Sequence, residues 1–389
     1  MKTTTFIFTL LLFAATLQAQ TFGDGSAPPM VLRGYVKEMP ALTLNKNFAD
    51  PGFMNIVHNR LNFRWNIAEG WHLAAEGRNR LFYNELFADY PGYKGVLEMD
   101  PGLIDMSWVW LSRGAWMGHT NIDRFYIDWR KNNWQVRVGR QRINWGVTLV
   151  SNPNDLFNTY SFFDFDYTER PGADAVRVQH FFGDMSRVQL AVNPARNSKE
   201  MVAAAMLNTN RWNYDFQTLV GYYRNRFAFG GGWAGHIGGA GFKGEATWFY
   251  DLEETADVSP GNVVAAIGFD YMFGNGTFAF AEFLYNGGHN RIPGDSVFMI
   301  TQPLRPDNIM FSEFSATIIA QHPISNILSA NLALMALPDI KAAFIMPGFS
   351  YSIITNLDLE FVSQIFIGGN NTVFEEAGSM WFVGLQYSF

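Results

Sequence analysis

The chain has no cysteine, which excludes disulfides, thiolate metal sites and an N-terminal lipid carried on a thiol. Only 16% of its residues are charged, and the formal net charge is −7. That balance gives no basic face for a nucleic-acid partner. After the first twenty residues, no segment approaches the roughly 18 continuous apolar residues of a transmembrane helix. The seven histidines lie far apart and form no metal-spaced pair. No G-x-S-x-G elbow is present. The expectation is therefore a protein that is not an enzyme and carries no cofactor.

What is abundant is aromatic side chain and glycine. Aromatics make up 16% of the chain (36 Phe, 15 Tyr and 12 Trp), and there are 36 Gly. Soluble enzymes seldom combine so many rings with so little charge. The N-terminus begins with Lys2, continues through an apolar run over residues 6–17, and reaches Gln18-Ala19-Gln20. This is the layout of a secretory signal peptide over residues 1–19, cut after Ala19, and it leaves 20–389 as the mature chain.

Alternation dominates that mature chain. Over residues 55–67, Val57, Leu61, Phe63, Trp65 and Ile67 share one parity, and His58, Arg60, Asn62, Arg64 and Asn66 share the other. Successive side chains of a strand point to opposite faces. One face suits hydrocarbon and the other a wet interior. Residues 71–82 and 122–130 repeat the pattern, and comparable segments follow to the C-terminus. The fold class expected is all-β, a transmembrane antiparallel up-and-down β-barrel of about 18 strands, with 16 also compatible. Segment 103–111 could add a strand within a loop. Segments 39–54, 84–118, 147–173, 251–262, 287–309 and 368–378 read as long outer loops, and 68–70, 131–133, 183–184 and 274–276 as tight inner turns. A soluble sandwich would put polar residues outside and leaves the aromatic bias unexplained.

Two segments carry resemblances. The last strand, with Trp381, Val383, Leu385, Tyr387 and Phe389 on one face, resembles the signal that the barrel-assembly machinery reads in Gram-negative outer-membrane barrels. Tyr387 and Phe389 would be its key residues. Val138-Gly139-Arg140-Gln141, with Trp145-Gly146, then Asn152-Pro153 and Asp155-Leu156-Phe157, is similar to a pattern of porin-like outer-membrane transport barrels. That resemblance implies an outer-membrane location and a channel or export pore, without naming a substrate.

The inner face is where function would lie. Arg60, Arg64, Arg78, Arg80, Arg124, Arg137, Arg140, Arg142, Arg177 and Arg187 would form a basic, pore-lining wall. Register should pair Asp128 with Arg137 and bring Arg60 near Glu76. After residue 196 acids outnumber bases, and Glu245, Asp270, Glu282, Glu313, Asp358 and Glu360 are inward candidates for a more acidic wall opposite; Glu282, Glu313 and Glu360 are its pore-lining members. Strict alternation would turn Arg140 and Arg142 toward lipid, at about 2–4 kcal/mol each near the midplane. A β-bulge at Gly139-Arg140 would turn them inward, leaving Gln141, Ile143 and Trp145 outside.

Loop 147–173 is rich in aromatics and holds Asp155, Asp164, Asp166 and Glu169. The expectation is that it folds into the barrel as a constriction, with its acids meeting the basic wall. The glycines at 230–232 read as close packing. The function expected is a channel for small polar or anionic solutes, set in outer-membrane lipid. The alternative is a plugged interaction barrel acting as an accessory subunit of an outer-membrane secretion, assembly or uptake complex; a homo-oligomer or a protein partner is compatible with the chain.

Overall fold

The computed structural model describes residues 29–85, 92–100, 102–158, 162–163, 171–183, 185–253, 260–289, 304–369, 372, 374–375 and 377–389. The expected signal peptide (1–19) and the acids Asp164, Asp166 and Glu169 lie outside the described residues.

The elements in chain order are β1 (Met30–Leu44), β2 (Gly52–Ala68), β3 (Trp71–Asn84), helix α1 (Tyr93–Glu98), β4 (Ser107–Arg113), β5 (Trp116–Lys131), β6 (Trp134–Gln141), β7 (Ala173–Phe181), β8 (Arg187–Asn193) and β9 (Val202–Arg211). They continue as β10 (Tyr214–Tyr223), β11 (Arg226–Ile237), β12 (Ala240–Asp251), β13 (Gly261–Met272), β14 (Phe278–Asn286), β15 (Phe314–Pro323), β16 (Leu328–Leu337), β17 (Ala342–Ile354), β18 (Leu357–Ile367) and β19 (Ser379–Ser388). Apart from β3, which skips β4 to pair with β5, each strand pairs antiparallel with the next, and β1 pairs with β19, so the sheet closes and has no free edge there.

One strand stands outside the ring. β3 pairs directly with β5, while β4 pairs only with residues 116–121 of β5. On that same side of β5, residues 125–131 pair with β6. β4 thus continues the slot that β6 vacates when the chain leaves the wall after Gln141. The ring proper has 18 strands, as alternation predicted, and β4 is the extra strand anticipated within a loop.

Tight turns join the strands at one end of the barrel, for example at 132–133, 212–213, 238–239 and 355–356, where Asn132, Asn213 and Asn356 take positive φ. The start of β1 and the end of β19 share that end, since Gly34 and Phe389 exchange backbone hydrogen bonds. The longer connections lie at the other end. An even strand number, a first strand that starts where the last one ends, and this loop asymmetry are the pattern of outer-membrane barrels.

Alternation sorts the two faces. Phe125, Ile127, Trp134, Val138, Val176, Phe229, Trp248, Phe283, Val383 and Leu385 are exposed on the outside. Their neighbours in sequence, such as Arg124, Asp128, Gln135, Glu282 and Phe382, are buried inside. An apolar exterior with polar and ionic groups turned inward is what hydrocarbon around the barrel demands.

Candidate site at the barrel interior

The inner wall of β2, β3 and β5 to β8 carries guanidinium groups at strand positions set by pairing register. Arg60 is 1% exposed and bonds Asp123 at 2.7 Å and Glu76 at 3.0 Å. Asp123 reaches it because β5 bulges there: Glu76 faces Arg124 while Gly77 already faces Ile122, so Asp123 is the extra residue. Arg64 extends from the wall, with its side chain 70% exposed and 3.5 Å from Glu76. Arg78 and Arg124 are buried, and Arg124 donates to the Asp123 carbonyl. Arg80 lies over the Phe82 ring and 2.9 Å from His119 Nδ1.

A second basic group lies nearer the tight-turn end. Asp128 and Arg137 are direct cross-strand partners, as the alternation implied, at 2.9 Å. Arg130 and Gln135 also donate to the Asp128 carboxylate. Arg137 is in turn the cross-strand partner of Arg177, and Arg187 follows on β8. Arg187 donates to Asn208. The Arg177 Nε is buried with no hydrogen-bond partner among the described residues. Among the described residues neither Arg177 nor Arg187 has a carboxylate within ion-pair distance, so four arginines share the single Asp128.

Arg140 departs from the expectation. The β5–β6 ladder runs from Lys131↔Trp134 to Phe125↔Arg140 without a register shift, so the predicted bulge is absent. Gly139 is nonetheless distorted, with φ +117°. Arg140 faces Asp174 across β7 and is only 4% exposed. Its guanidinium bonds Asp174 at 2.7 Å and Asp100 at 2.6 Å and donates to the carbonyls of Ile104 and Ile122. The charge is covered by Asp100, Gly102 and Ile104 instead of being turned to water, so Arg140 is not a free member of the pore wall. Arg142 is half-buried. Ile143 and Trp145, expected on the outside, are 0% and 1% exposed inside the barrel. They belong to a chain segment that has already left the sheet.

That segment crosses the interior. Ile143 N donates to Asn158, Gln217 donates to the Trp145 carbonyl, and the Trp145 and Phe157 rings meet edge-on at 5.0 Å. Over its described part loop 147–173 folds inward, and residues 147–154 rest on the wall that carries Glu245 and Glu282, while Asp164, Asp166 and Glu169, expected to meet the basic wall, lie outside the described residues. Glu245 on β12 accepts from Val147 N, Thr148 N, Thr148 Oγ1, Asn152 Nδ2 and Asn154 N at 2.8–3.1 Å. Glu282 on β14 accepts from Val150 N and Ser151 N. Asp155 is fully buried in this segment.

The glycine run at 230–232 also finds its reason here. A Cβ on Gly230 would stand 2.6 Å from Asn154 Oδ1, and one on Gly232 3.1 Å from Val147 Cγ2. The backbone of the wall must lie bare for the loop to rest on it.

Two more segments fold in on the same side. Arg226 bonds Asp307 at 2.7 Å and fixes residues 304–310 against β11 and β13. Phe374 joins Phe163, Phe344 and Phe366. Together with Leu156, Phe249, Phe280, Leu284, Ile309 and Met335 these rings form one apolar core inside the ring of strands. The remaining predicted acids are less free than the sequence suggested. Glu360 pairs with Lys37 at 2.9 Å, Asp270 pairs with Lys243, and Glu313 precedes β15 at the long-loop end. Asp100, Asp123, Asp174 and the Arg226–Asp307 pair carry no motif and escaped the sequence reading.

No family model matches the chain, and no curated protein matches it. Solved structures do. OprD from Pseudomonas aeruginosa aligns over 94% of this chain and 95% of its own, with a TM-score of 0.58 and 6% identity. OccAB1 from Acinetobacter baumannii aligns over 95% and 99%, with a TM-score of 0.57 and 11% identity. Salmonella typhi OmpF, solved in complex with daunomycin, aligns over 92% and 97%, with a TM-score of 0.50 and 12% identity. At these identities the likeness is one of fold: a closed outer-membrane porin-type barrel.

Proposed function

We propose that this barrel lies in the outer membrane as a passive channel for small polar solutes, favouring anions, with its water path running along the arginine wall. The observation that carries this reading is the charge imbalance at Arg130, Arg137, Arg177 and Arg187, which hold one carboxylate among them. Guanidinium groups without counter-ions are costly unless water or a passing anion solvates them. Across the interior, the in-folded segments and the wall of β10 to β18 share an apolar core that fills part of the cross-section. The path is thereby displaced toward the basic side, where fixed positive charge selects by sign. The likeness to OprD, OccAB1 and OmpF supports a channel in its coarse form.

The test is conductance across a planar bilayer. Purified folded protein should pass ions, and a salt gradient should give a reversal potential of anion sign. Charge reversal by R137E with R177E should move that potential toward cations. Absence of any current would remove the reading. A second reading, a plugged accessory barrel, is favoured by the same interior core; it predicts no current and a stoichiometric partner on purification.

A further inference from the structure

We propose that Glu245 and Glu282 are positioning residues that set the aperture of this pore by holding residues 147–154 as an anion-binding nest against the inner wall. The inference rests on the channel reading above, and goes further by assigning control of the aperture to two wall carboxylates.

Both carboxylates are almost fully buried, at 1% and 5% exposure, and neither has a lysine or arginine within ion-pair distance among the described residues. A buried carboxylate normally has a cationic partner. Here its place is taken by donors from one short stretch. Five reach Glu245, and three of those are backbone N–H groups of Val147, Thr148 and Asn154. Two backbone N–H groups, of Val150 and Ser151, reach Glu282. Successive main-chain N–H groups converging on an anion are a nest. In this case the anion belongs to the wall and the nest to the loop.

The stretch also closes on itself. Asn152 Nδ2 donates to the Thr148 carbonyl at 2.7 Å, and Thr148 Oγ1 donates to the Ser151 carbonyl. Thr247 Oγ1 donates to the Pro153 carbonyl and to Asn154 Oδ1, adding a wall contact of the opposite polarity. Bare glycines at 230 and 232 let the loop lie flat. The hydrogen bonds that Val147, Thr148, Val150, Ser151 and Asn152 send to Glu245 and Glu282 hold this stretch to the wall. Removing the two carboxylates takes the acceptor from the five backbone N–H groups of Val147, Thr148, Val150, Ser151 and Asn154, and these would seek water in the lumen. The loop would then leave the wall and sample the path beside the arginines.

The experiment uses the full chain folded in lipid. In the double variant Glu245→Ala/Glu282→Ala, single-channel conductance should change by about twofold or more, with added open-channel noise, because a loop that narrows a pore is released. Amide hydrogen exchange over 147–154 should accelerate while the strands stay protected. Conductance and protection both unchanged in a folded barrel would overturn the proposal. If the double variant does not fold, Thr148→Val with Asn152→Ala removes two of the five donors to Glu245 and leaves the wall intact. It should shift exchange and conductance in the same direction by a smaller amount, and no shift would again overturn it. A wild-type barrel that passes no current, yet shows carboxylate-dependent protection of 147–154, would sink the channel reading and leave the anchoring role standing.

Discussion

Gly139 shows how one residue resolves a conflict that pattern alone could only identify. The alternation demanded that something happen at Gly139-Arg140, because strict parity turned arginine toward lipid. The structure keeps the register and bends the backbone, with φ at +117°. A Cβ at this position would lie 2.3 Å from the Phe125 carbonyl oxygen, so no other residue fits without moving β5. Gly139→Val should therefore destabilise the barrel by at least about 1–3 kcal/mol, read as a lower urea midpoint for the folded form in lipid vesicles. Gly183→Ala is the control. Its nearest contact would be 3.6 Å and its φ is ordinary, so the midpoint should hold. The glycine was legible in sequence as a special position, but the manner of its use was not. The solution comes from Asp100, forty residues away, and no local pattern links the two.

At the scale of elements, the short helix α1 and β4 form a patch over the gap left by β6. The patch is fixed by Arg140, whose guanidinium holds Asp100 from the patch and Asp174 from β7. Removing one partner from a buried ion pair strands the other charge, typically at about 3–5 kcal/mol. Asp100→Ala should release residues 92–106, measured as new protease cleavage there in an otherwise folded barrel. The exposed pair Lys94–Glu98, at 3.6 Å, offers the comparison: Glu98→Ala should change stability by no more than about 0.5 kcal/mol. Strands were legible because period two is a strong signal on a half-buried face. The patch was foreseen only as a possible extra strand. Its pairing with β5 follows from the departure of β6, which is a tertiary event. That residues 147–154 dock on Glu245 and Glu282 was not foreseen, for a related reason. The two carboxylates were legible as inward acids, but hydrogen bonds from backbone N–H groups have no side-chain signature.

For the molecule as a whole, two solvents meet one sheet, and the same substitution should have opposite consequences on its two faces. β19 makes the comparison within a single strand. Val383 is 44% exposed on the outer face, while Gln386 differs in parity and bonds Ser388 inside. An arginine at 383 must face hydrocarbon, at a cost of about 2–4 kcal/mol if it lies near the midplane. An arginine at 386 can extend into the interior, where Asp358 is its direct cross-strand neighbour. Val383→Arg should therefore slow or abolish folding into vesicles and lower the urea midpoint, whereas Gln386→Arg should leave both near wild type. The comparison is stringent because β19 closes the ring against β1, so any loss of pairing there opens an edge of the whole sheet. Equal tolerance at the two positions would mean that the apolar belt does not face lipid. The inward placement of the arginines, on which the proposed selectivity rests, would then lose its physical cause.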